Sequence, residues 1–174
     1  MLFRSRSPNT IIPWHPVNID GDLFRSVLGR FASGITVITT VDAQGRDHGM
    51  TASAFSSVSL DPPLVLVCIA NDATMAPVVA AASSFAVNVL ADSQEAVSRR
   101  FAGMIDDRFA GIGHAPGILG DAILDDVLAW LECRVVSRHP AGDHVIVVGE
   151  VEAAGARDAR PLLYYRGGYA QLER

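Results

Sequence analysis

Three things are scarce in this sequence. Cysteine occurs twice, at Cys68 and Cys133, each inside an apolar run and without the CxxC spacing of zinc or redox sites. The pair therefore reads as two buried thiols in a reducing compartment. Positive charge is short as well: 14 Lys and Arg stand against 19 Asp and Glu, a net charge of −5, and no basic run interrupts the chain. Phosphate backbones are bound by clustered Lys and Arg, so a nucleic-acid partner is excluded. Long apolar stretches are missing too. None approaches the roughly 20 residues that cross a bilayer, and residues 1 to 19 lack the central apolar block of a secretory signal. The expectation is a soluble, cytoplasmic chain with no membrane partner.

Catalytic signatures are equally thin. The sequence has no GxSxG elbow, no HExxH and no P-loop, and its five His are scattered without a carboxylate or Cys at metal-ligand spacing. A hydrolase and a metal site are both disfavoured. In "GIGHAPG" (111 to 117) Pro116 stands where a GxGxxG fingerprint requires its last glycine, so no dinucleotide-binding fold is expected.

What is present is a chain of 174 residues, 49% hydrophobic and 19% charged, enough for one domain with a sizeable core. Residues 1 to 19, with Pro8, Pro13 and Pro16, read as an N-terminal arm, and residues 20 to 174 as the domain. Leu23, Phe24, Val27, Leu28 and Phe31 recur at helical spacing behind Asp20 or Asp22 as N-cap, and Gly34 breaks the pattern. "ITVITTV" (35 to 41) is almost wholly β-branched and is joined by a polar turn to "HGMTASAF" (48 to 55) as in a hairpin. "PLVLVCIA" (63 to 70) and "FAVNVLA" (85 to 91) are buried strands, with an Ala-rich helix from Thr74 between them. Asp92 and Glu95 resemble a capping box for a helix carrying Val97, Arg99, Arg100 and Phe101. "VLAWLECRVV" (127 to 136) and "HVIVVGEVEAA" (144 to 154) are long strands joined by "HPAGD", and "PLLYYRGGY" (161 to 169) supplies a last strand or hairpin. Six or more strands at hairpin spacing with two or three helices point to a mainly β fold, an antiparallel barrel rather than βαβ units.

One segment carries an unusual load of hydroxyls. In "GMTASAFSSVSLDPP" (49 to 63), strand alternation puts Thr51, Ser53, Phe55, Ser57 and Ser59 on one face and Ala52, Ala54, Val58 and Leu60 on the core face. The hydroxyl face meets either solvent or a flat or phosphorylated ligand that approaches the backbone closely.

Taken in order, "FASGITVITT" (31 to 40), "HGMTASAFSSVSLDPPLVLVCIA" (48 to 70), "FAVNVL" (85 to 90), "SRRFAG" (98 to 103), "DRF" (107 to 109), "LAWLECRVV" (128 to 136), "AGDHVIVVGEV" (141 to 151) and "PLLYYRGGY" (161 to 169) resemble the flavin reductase-like family. These are the small reductase components of two-component flavin monooxygenases. The resemblance runs from Phe24 to Tyr169 and implies a split β-barrel, homodimeric, that binds FMN or FAD near the subunit interface. It also implies that NADH or NADPH reduces the flavin, which then leaves for a partner oxygenase.

By the same resemblance the segment containing Thr51, Ala52, Ser53, Ala54 and Ser57 lies along the flavin, with Ala70 and Thr74 beside the ribityl chain or phosphate. Thr74 reads equally as a helix N-cap. Asp72 stands where family members often carry Ser or a basic residue, so its carboxylate is expected to point away from phosphate. Asn88, polar within an apolar strand, needs hydrogen-bond partners from a flavin or from neighbouring backbone. Arg99, Arg100 and Arg108 are either phosphate contacts or solvated surface charges. Gly142, Asp143 and His144 match the segment on the nicotinamide side, His144 being the candidate catalytic residue, with Tyr169 lining the same cleft and Tyr164 and Tyr165 read as sheet packing. With no dinucleotide fold, the nicotinamide has to stack on the flavin ring itself, its donor carbon roughly 3 to 3.5 Å from the flavin N5. Two other readings remain open at this stage: a flavin-binding sensor or electron-transfer module that keeps its cofactor, and a split-barrel oxidoreductase built on another cofactor.

Overall fold

The computed structural model describes residues 19–172, so the expected arm falls outside the described residues except for Ile19. Helix α1 (Gly21–Leu28) starts where Asp20 caps it, its carboxylate accepting the Leu23 N–H at 2.8 Å. The helix ends at Gly29, five residues before Gly34, where the Gly29 N–H still bonds back to the carbonyl of Arg25. None of its residues is buried.

Twelve strands follow in the described residues: β1 (Ser33–Gly34), β2 (Thr36–Val41), β3 (Asp47–Ala52), β4 (Phe55–Leu60), β5 (Pro63–Ala70), β6 (Ser84–Val89), β7 (His114–Pro116), β8 (Ala122–Leu124), β9 (Ala129–Ala141), β10 (His144–Ala156), β11 (Leu163–Tyr165) and β12 (Gly168–Ala170). Helix α2 (Ala76–Ala81) follows β5, and α3 (Glu95–Ala102) follows β6. Seven strands make one antiparallel sheet in the order β3-β2-β6-β9-β10-β5-β4, with β1-β11-β12 and β7-β8 as smaller sheets.

The expected barrel is thus an open one. The ladder leaves β3 and β4 as its two edges, and no hydrogen-bonded pair joins them. The reason is local: the chain turns at Ser53 and Ala54, where the Phe55 N–H bonds to the Ser53 carbonyl, so one expected strand becomes two that leave in different directions. The alternation expected from Thr51 to Leu60 breaks at this turn. Val58 and Leu60, expected in the core, are 50% and 93% exposed because no layer covers the outer edge. A bulge between Ser57 and Ser59 shifts the register further.

The β-branched run of β2 is explained by burial on both faces. Ile38 enters a core with Val67, Ile69, Phe85 and Val147, while Val37 enters a second with Leu90, Phe101, Leu124 and Leu162. Gly149 is needed where β10 crosses this core: a Cβ there would sit 2.6 Å from the Phe85 ring.

Two further expectations are corrected. The capping box before α3 is not made by Asp92 and Glu95. Gln94 reaches back instead, its Oε1 accepting the Ala91 N–H at 3.0 Å, because a 3-10 turn (Asp92–Gln94) precedes the helix. The segment "HPAGD" is not a loop either, since β9 runs through His139 and Pro140 to Ala141 and leaves only Gly142 and Asp143 as the turn. Gly142 takes φ 64°, the left-handed region such a two-residue hairpin requires.

Candidate functional site

The structure gathers the expected site residues into separate groups. At one, the C-terminal end of β5 meets the start of β10: His144 pairs with Ala70 across the ladder, and the Asn71 N–H donates to the Asp143 carbonyl at 2.9 Å. The His144 Nδ1 lies 2.7 Å from Asp143 Oδ1. A carboxylate only accepts, so Nδ1 carries the proton and Nε2 is the ring atom left for other work. That bond to His144, reinforced by the imidazole's charge, holds the Asp143 carboxyl below its ordinary range. Asp143 is exposed and His144 half-buried, so both are open to a ligand.

The second group lies on α3. Thr51 donates its hydroxyl to the Ser98 carbonyl at 2.7 Å, and the Ser98 hydroxyl lies 2.9 Å from Tyr169 Oη. Arg99 sits over the Tyr169 ring, 4.6 Å from its centroid, and pairs with Glu95 at 2.7 Å. Tyr169 also meets Tyr164 edge-on. Tyr164 and Tyr165 both sit in the β11–β12 ladder and are similarly exposed, and among the described residues only Tyr164 of the two has a ring contact, with Tyr169.

The third is a cleft of about 450 Å³ between β3, the segment before α2, and the loop 104–109. Thr74 stands on its wall and does not cap α2, whose first turn follows Met75. Arg108 closes the wall. It donates to the carbonyls of Gly49 (2.8 Å) and Gly103 (3.1 Å) and, at 3.4 Å, to the Thr74 hydroxyl. Arg100 donates to the carbonyls of Arg108 and Asp107. Of the arginines read as phosphate contacts or solvated charges, Arg100 and Arg108 are engaged in clamping this loop, whereas Arg99 keeps an exposed ion pair with Glu95. Asp72 is exposed in the turn after β5.

Two expected residues are set in the framework. Ala52 is buried, its carbonyl accepting the Thr36 hydroxyl at 2.7 Å. Asn88 has no exposed surface: its Nδ2 donates toward Val37, Thr39 and Ala122, and its Oδ1 accepts the Leu124 N–H at 2.8 Å. Neighbouring backbone, one of the two partners the sequence left open, meets both ends of the amide.

Residues 28–173 match the family model described as flavin reductase like domain. The chain belongs to the flavin reductase-like family. It is 44% identical over 160 residues to the flavin reductase (NADH) of Kitasatospora aureofaciens, covering 90% of this chain and 84% of that one. It is also 44% identical over 158 residues to the reductase subunit HsaB of a flavin-dependent monooxygenase from Mycobacterium tuberculosis, covering 89% and 84%. Among solved structures, the NADH:FAD oxidoreductase SgcE6 of Streptomyces globisporus, in complex with NAD and FAD fragments, superposes with a TM-score of 0.84 at 36% identity, over 88% of this chain and 93% of that one.

The residues fit a flavin. An isoalloxazine ring needs a flat, lightly furnished wall with main-chain donors at its edge. Ser53, Ala54, Ser56 and Ser57 offer small exposed side chains on the turn and on an edge strand paired on one side only, while Phe55 between them packs against the core. Sequence reasoning passed over Ser98. The sequence signal was the helical spacing of Gln94, Ser98 and Phe101, and the structure buries all three.

Proposed function

We infer that this chain is an NAD(P)H:flavin oxidoreductase that hands reduced flavin to a separate flavin-dependent oxygenase. The observation that carries the reading is the match of nearly the whole chain to proteins named as NADH flavin reductases and monooxygenase reductase subunits, joined to an open His144–Asp143 turn beside Ala70. Bound flavin supplies the two-electron acceptor for hydride. The chain's own contribution is alignment and exclusion of water. Thr51, Ser53, Ala54 and Ser57 form the wall for the ring, with Ala70 and Thr74 toward the ribityl and phosphate. Asp143 fixes the His144 tautomer, so that Nε2 is presented to the nicotinamide amide; Tyr169, held by Ser98 and Arg99 in the group on α3, is assigned to the same side by the family resemblance. Ala70, with nothing beyond its Cβ, leaves the flank of that imidazole open.

The protein works as a homodimer in this reading. Support comes from apolar surface without cover: Phe24, Val27 and Leu28 on α1 are each more than half exposed, Phe31 is 81% exposed, and Leu60 stands out on the β4 edge. Sedimentation of the purified chain at the monomer mass would remove the dimer from the reading.

Following the loss of NADH and NADPH absorbance with purified protein and FMN, FAD or riboflavin tests the activity. Rapid oxidation with weakly held flavin is expected, and no oxidation with any pair overturns it. His144→Ala is expected to raise the nicotinamide KM about tenfold, the worth of one hydrogen bond to a polar ligand group, with flavin affinity unchanged. Full activity with an unaltered KM removes His144 from the site.

A further inference from the structure

Ser98 lies in the interior of α3 with no exposed surface. Alanine would fill the same space and favour the helix more, so packing does not account for a hydroxyl here. Its two oxygens are instead taken by strands of different sheets. The carbonyl accepts the Thr51 hydroxyl of β3, and the side-chain hydroxyl meets Tyr169 Oη of β12. The Tyr169 ring is set by the Arg99 guanidinium and by Tyr164, contacts that leave its hydroxyl end to Ser98. β12 is only three residues long, so it holds the ring weakly by itself.

We propose that Ser98 is a positioning residue for the reductase reaction, holding Tyr169 on the nicotinamide side at a set separation from Thr51 on the flavin wall. This rests on the functional reading above. The two arms are separable, because the Thr51 bond uses a main-chain carbonyl that alanine retains, whereas the Tyr169 bond uses the side-chain oxygen that alanine removes.

The test is a cycle of Ser98→Ala, Tyr169→Phe and the double variant, each assayed for NADH KM, kcat, flavin Kd and thermal unfolding. Ser98→Ala is expected to raise the NADH KM about three- to tenfold, the range for losing one hydrogen bond, with kcat falling by less than KM rises and flavin Kd unchanged. Tyr169→Phe gives the same rise, and the double variant no more than either single, since both remove one bond. An unaltered KM in Ser98→Ala overturns the proposal. So does a double effect equal to the product of the singles, or a KM and flavin Kd that rise together with a lower Tm, the pattern of a purely structural serine. An active parent with an unaltered Ser98→Ala variant overturns this inference alone, whereas an inactive parent overturns the functional reading.

Discussion

Replacing Asn88 by aspartate separates a framework role from a ligand role at that position. The two side chains have the same shape, so no cavity forms. One oxygen keeps the Leu124 N–H at 2.8 Å, but the other is placed 3.2 to 3.3 Å from three oxygens, those of Val37, Thr39 and Ala122. Thr39 cannot turn its hydroxyl toward the newcomer without giving up its own 2.6 Å bond to the Ala122 carbonyl. An ionised carboxylate there has one donor and no surface, so its pKa should rise by about 3 units. At about 1.4 kcal/mol per unit, the cost is about 4 kcal/mol at neutral pH, a large part of the 5 to 15 kcal/mol that holds a typical domain together. The sign follows from linkage. A folded pKa above the unfolded value of about 3.9 means the folded state holds the proton longer, so stability is lost as pH rises from about 4 toward the folded pKa. Asn88→Ala is the control, with a pH-independent loss of about 1 to 3 kcal/mol from the stranded Leu124 N–H. Urea unfolding at pH 5 and pH 8, with flavin Kd measured on the folded fraction, reads all of this. A loss under about 1 kcal/mol at pH 8, or the same loss at both pH values, refutes the reasoning; a weakened flavin Kd with unchanged stability would return Asn88 to the flavin site.

Gly49→Ala is expected to cost about 1 to 3 kcal/mol by urea unfolding, because a Cβ there would lie 2.6 Å from the Phe101 ring, which is 1% exposed and has nowhere to go. A variant as stable as the parent would show that α3 yields at that contact. Asp121 is buried, one of its oxygens finds no partner among the described residues, and burial above all, with the nearby Glu132 charge, pushes its carboxyl above the usual range. A raised folded pKa means stability falls as pH climbs above about 4, so Asp121→Asn should gain on the parent between pH 4 and pH 8 in thermal unfolding. An identical difference in Tm at both pH values would refute the raised pKa.

By itself the sequence determined the mainly β class, the α1 helix behind Asp20 or Asp22, the β-branched strand run of β2, a last strand or hairpin over 161 to 169, and the family to which the ordered motifs point. These are legible because each rests on a period of two or 3.6 residues, on a turn residue, or on a short fixed motif, all carried by neighbours in the chain. Only the tertiary structure decided that β3 and β4 lie on opposite edges, that both ends of the Asn88 amide meet neighbouring strands, and that Arg100 of α3 and Arg108 of the following loop clamp backbone carbonyls. Thr51 and Ser98 are 47 positions apart, and Ser98 and Tyr169 are 71. Which partner a polar side chain finds at such separations depends on strand order, and strand order is set by how the whole chain buries its two cores, a quantity no local pattern encodes.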